Sequence, residues 1–109
     1  MSTTKNPMKE RLRNNYVEMI HAKEYYCKVL KVLKDENNRK GVNIEIGYLI
    51  RDMPNFKHLR NSSNKVRGIL TRVCIGDYDT RKAYREILSL YKMLIETMMC
   101  FNEKQLFKD

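Results

Sequence analysis

The chain has 109 residues, 22 of them Lys or Arg against 13 Asp or Glu, for a formal net charge of +9. That length builds one helical domain over residues 1–109 rather than two, and no apolar run approaches the roughly 20 residues of a membrane-spanning helix. The opening Met1 to Pro7 lacks the apolar stretch of a secretory signal, so the expected compartment is the cell interior, cytoplasm or nucleus, including that of a host cell for a viral protein.

Residues 1–7 read as a flexible N-terminal segment, with Asn6-Pro7 marking the start of the first helix. From Met8 to about Glu36 there is no Gly or Pro, and Leu12, Tyr16, Met19, Lys23, Tyr26, Leu30 and Leu33 recur at spacings of three and four on one face. Tyr25, Val29 and Val32 widen that stripe sideways. An apolar patch of this kind meets a partner or a neighbouring helix, and the three residues are the expected interface of a homodimer or hetero-complex. Lys23, in the middle of the seam, reads as a side chain that lays its stem along the surface and sends its charge to water. Residues 35–41 form a polar loop with Gly41 as a stop.

Val42, Ile44 and Ile46 alternate as in a strand, whereas Ile46, Leu49, Ile50 and Met53 recur as in a helix. A lone strand has no partner in this chain, so the reading is a short helix capped near Asn43 and ended by Pro54. Asn55 to Asn61 forms a loop or single turn anchored by Phe56 and Leu59. Ser62 or Ser63 caps a third helix to Ile75, with Gly76 as its stop. Asp79 or Thr80 then caps a fourth helix to about Leu106, striped by Tyr84, Ile87, Tyr91, Leu94, Met98 and Phe101. The expected fold is an all-α, compact four-helix domain, its long first and last helices antiparallel and two shorter helices between them. Cys27, Cys74 and Cys100 are odd in number and far apart, and read as small buried hydrophobes of a reducing compartment; Met19, Met98 and Met99 read as core filler.

The function-bearing segment is Met53 to Gly76, which contains no acid and the bases Lys57, Arg60, Lys65, Arg67 and Arg72. On a helical wheel Val66, Ile69, Leu70, Val73 and Cys74 share one side, while Asn64, Lys65, Arg67, Gly68, Thr71 and Arg72 share the other, with Ile75 the exception. Cations among short hydrogen-bonding side chains suit a phosphate backbone. The expected nucleic-acid contacts are therefore Lys57, Arg60, Lys65, Arg67 and Arg72, with Ser63 and Asn64 adding hydrogen bonds at the helix N-terminus. The plainer reading is a solvated basic face. A helix-turn-helix fits poorly, because the link after Met53 is long, begins with Pro54 and has no Gly. The segment also lacks the paired aromatics of a base-stacking platform.

Catalysis finds no support. His21 and His58 have no Cys, Asp or Glu at a metal-ligand spacing, and there is no glycine-rich phosphate loop. No cofactor or metal is expected. The reading is a non-catalytic accessory or regulatory protein that binds DNA or RNA. The alternative is a helical adaptor or inhibitor that binds an acidic protein surface.

Overall fold

The computed structural model describes residues 7–35 and 39–103, which form four α-helices: α1 Pro7–Lys34, α2 Arg39–Arg51, α3 Arg60–Cys74 and α4 Thr80–Glu103. Among the described residues there is no strand, and no helix is long and apolar enough to cross a membrane. The N-terminal segment before Pro7, residues 36–38 of the expected polar loop and the expected helix end beyond Glu103 lie outside the described residues.

The long helices are antiparallel. Tyr16 of α1 meets Phe101 of α4 with ring centroids 6.0 Å apart, and at the other end Leu33 and Tyr84 line one small cavity. α2 packs on α1, α3 on α4, and α2 on α3, so the short helices form a second layer over the long pair. One core joins the layers: Met19, Ala22, Tyr26, Val29 and Leu33 from α1, Ile46 from α2, Val66, Leu70 and Val73 from α3, and Ala83, Ile87, Leu94 and Met98 from α4. From Glu10 to Glu18 no α1 residue is buried, so the second layer sits beside the C-terminal part of α1. The molecule is accordingly long, 58 × 24 × 18 Å.

Local chemistry explains several boundaries. Gly76 takes φ 82°, and the Gly76 and Asp77 N–H groups donate to the Val73 and Arg72 carbonyls at 3.0 and 2.9 Å. This pair of bonds closes α3 through a left-handed glycine, as its sequence position suggests. Asp79 begins α4, its carboxylate accepting from the Arg81 N–H at 3.3 Å.

Other boundaries differ from expectation. α2 starts at Arg39, so Gly41 and Asn43 lie within the helix rather than stopping or capping it. A helical glycine costs about 1 kcal/mol, which the packing of Ile46, Leu49 and Ile50 against the core outweighs. Cys27, Cys100 and Met99 are exposed and Cys74 is half-buried, because these residues flank the buried stripes instead of lying in them. Lys23 is exposed, and the α1 seam passes through Ala22.

The patch expected at Tyr25, Val29 and Val32 is covered within the chain: Tyr25 and Val29 are buried and Val32 is half-buried against the core. Tyr25 also donates its hydroxyl to the Leu49 carbonyl. The Asp52 and Met53 N–H groups take the Tyr48 and Ile50 carbonyls, so Tyr25 completes the end of α2. Little of this face is left for a homodimer to bury.

Burial pushes the Tyr25 hydroxyl up from 10.0 to about 12, against a smaller opposing pull from Arg67. Burial also raises Tyr26, opposed by its hydrogen bond with Ser62. Both phenols hold their protons more tightly folded than unfolded. Their contribution to stability is therefore complete below about pH 10 and is lost as pH climbs towards 12. Thermal melts followed by circular dichroism should show Tm falling across this window. Tyr25→Phe should fall less steeply from a plateau lowered by about 0.5–1.5 kcal/mol, the worth of the lost Leu49 bond.

Candidate nucleic-acid interface

The path from α2 to α3 is anchored by Phe56, which is buried. The next three backbone N–H groups all point at one carboxylate. Those of Lys57, His58 and Leu59 donate to Glu18 of α1 at 3.1, 2.7 and 2.8 Å. α3 then begins at Arg60, with Leu59 as its N-cap and no side-chain cap of its own. Such a ring of donors is a ready anion site, and α1 fills it from inside the chain.

This arrangement corrects two expectations. Neither Ser62 nor Ser63 caps α3, and the anion beside its N-terminus is a carboxylate of this chain. Ser62 shares a 2.6 Å hydrogen bond with the Tyr26 hydroxyl. Ser63 is buried at 6% exposure and donates its hydroxyl to the Arg60 carbonyl at 3.1 Å. Ser63 therefore leaves the set of candidate contacts. It reads as polar and local in the sequence, yet it sits on the inward side of the first turn.

The remaining candidates, Lys57, Arg60, Asn64, Lys65, Arg67 and Arg72, are all exposed. On α3 the outward residues fall into two rows with spacings of four, three and four. One row is Arg60, Asn64, Arg67 and Thr71; the other is Asn61, Lys65, Gly68 and Arg72. The paired cations of each row are separated by about 10 Å along the axis at 1.5 Å per residue. In the first row the Arg67 Nε lies 3.4 Å from the Sδ of Met53, just past the end of α2.

The second row borders a groove of about 520 Å³ between α3 and α4. Lys65, Gly68, Ile69 and Arg72 form its α3 side. Tyr78, Glu86, Ser89 and Leu90 form the opposite wall. Arg72 lies with its guanidinium 4.4 Å from the centre of the Tyr78 ring and its Nε 3.8 Å from Asp77. That ion pair is open to solvent and weak, which leaves Arg72 able to turn to another anion. Tyr78 donates its hydroxyl to Glu86 at 2.5 Å, and this bond holds the phenol above its usual value.

Gly68 sits mid-helix at a cost of about 1 kcal/mol relative to alanine. A Cβ there would meet nothing within 4 Å. Packing therefore gives no reason for the glycine, and its absent side chain leaves the groove wall open.

The sequence reading passed over Tyr78, Glu86, Ser89 and Leu90, since they lie outside the acid-free segment and reach it only through the turn at Gly76. It also missed a cavity of about 300 Å³ where Leu33 and Lys34 meet Arg81, Tyr84 and Arg85. The sign of that cluster was visible, but its assembly depends on the antiparallel packing of α1 and α4. Among the described residues no group of three His, Cys, Asp or Glu could hold a metal ion. The chain matches no protein-family model, no curated protein and no solved structure.

Proposed function

We propose that this protein binds nucleic acid through its phosphate backbone, as a non-catalytic accessory or regulatory component in the cell interior. The observation that supports this most directly is α3 itself. Its apolar residues Val66, Leu70 and Val73 are buried, its cations face outward in two rows, and it carries no acid. Lys57 and Arg60 extend the cationic surface around its first turn. A surface of this kind gathers phosphates and reads little sequence. The three cysteines are not paired in disulfides, and exposed thiols at Cys27 and Cys100 suit a reducing compartment.

Binding should fall steeply with salt. Neutralising about five phosphates gives a log–log slope of about −3.5 on a single strand and −4.5 on a duplex. Fluorescence anisotropy with a labelled oligonucleotide across a salt series measures this slope. Replacing Arg67 and Arg72 together by Glu should weaken binding about tenfold or more while leaving the helical dichroism unchanged, because both side chains are exposed. An absence of binding at low salt, or an affinity indifferent to salt, removes the proposal.

The second reading is an adaptor or inhibitor for an acidic protein partner. Ile44 and Tyr48 favour it: they are 61% and 53% exposed one turn apart on α2, with Arg51 over the Tyr48 ring. A basic-apolar stripe of this composition suits a protein surface better than a phosphate backbone.

A further inference from the structure

Resting on the nucleic-acid reading, we infer that the α3–α4 groove holds one unpaired nucleotide, so that the protein prefers single strands over duplexes. The groove combines features that a plain phosphate-binding face does not need. It is a shallow, open groove of about 520 Å³, wide enough for one flat ring to lie against its wall. Two cations, Lys65 and Arg72, stand along its α3 edge in one row and two turns apart, where phosphates of a single backbone can be met.

Its interior suits a base rather than a phosphate. Ile69 and Leu90 supply apolar surface, and Gly68 keeps that surface accessible although nothing would collide with a side chain there. The Arg72 guanidinium, backed by the Tyr78 ring at 4.4 Å, offers a flat face on which a base can stack. Tyr78 supplies an accessible ring, whereas the aromatic residue of the basic segment, Phe56, is buried.

Glu86 is the telling residue. A carboxylate in a cationic groove repels phosphate, so a backbone-only site gains nothing from it. It is, however, the acceptor that the amino and imino groups of a base edge require. Its Oε2 already accepts from the Tyr78 hydroxyl, and Ser89 lines the same groove. Pairing occupies the Watson–Crick edge and its imino groups and keeps each base within the stack, so the groove is open only to a strand whose bases are free.

The test compares two labelled probes of equal length and charge at low salt: a mixed-sequence single strand and the same backbone with abasic sites throughout. The single strand should bind about tenfold more tightly, within the range that one stacked base contributes. Gly68→Met fills the groove from α3, and Ser89→Met fills it from α4, both with good helix formers at exposed positions. Each should erase the difference between the probes while leaving abasic binding and its salt slope intact. Equal binding of the two probes by the wild-type protein, or a preference that survives both substitutions, overturns the inference and leaves backbone binding standing. Failure of both probes to bind overturns the inference together with the reading beneath it.

Discussion

Leu70→Ala should be among the most destabilising single substitutions in this chain, at about 2–5 kcal/mol. Leu70 is fully buried and belongs to the core that joins all four helices. Its loss removes the transfer energy of the deleted carbons and leaves a void that helices fixed on several sides cannot close. Leu70 also lies on the face of α3 opposite the cationic rows, so the substitution tests packing without touching the proposed interface. Urea unfolding followed by circular dichroism should show a lower midpoint with an unchanged slope. A loss well under 1 kcal/mol would contradict the placement of α3 against α4.

Glu18→Ala should cost about 1.5–3 kcal/mol, because one carboxylate accepts the N–H groups of Lys57, His58 and Leu59. Glu18→Gln keeps an oxygen acceptor but loses the charge, and should fall between the variant and the wild type. The alanine variant has a second signature. Three vacated donors would stand beside Lys57 and Arg60, an arrangement suited to a free anion. Inorganic phosphate should therefore raise the Tm of Glu18→Ala more than that of the wild type. If phosphate shifts both proteins equally, the three donors do not act as one anion-holding group.

These two residues mark what was legible in the sequence. Leu70 belongs to a periodic stripe, and the α1 and α4 stripes are equally plain because helical periodicity is a local property of a continuous segment. Gly76 and Asp79 were legible for the same reason, since each acts on backbone groups a few residues away. Glu18 was not. It caps a turn about 40 residues further on, and no local pattern announces an acceptor from another helix. Glu18 fixes the backbone of Lys57, His58 and Leu59 just before α3 begins at Arg60, and Ser63 lies buried in the first turn. The cover over Tyr25 and Val29 was hidden likewise: a stripe shows how much surface a helix buries, while its partner depends on topology. Within the candidate site the cations were visible, and the groove wall of Tyr78 and Glu86 was not, because it arrives only when α4 folds back beside α3.

The antiparallel seam of α1 and α4 also constrains the order of assembly. Tyr16 and Phe101 come from opposite ends of the described chain, so this seam needs the longest loop closure in the fold, whereas α2 and α3 meet across a short connection. Closure entropy grows only with the logarithm of loop length, but so distant a pairing waits on everything between. On the ribosome, Tyr16 and Leu33 emerge early and remain without Phe101 and Tyr84 until α4 has been made. The nascent chain therefore carries this apolar face uncovered until α4 is made, and docking of α4 is the event that seals it.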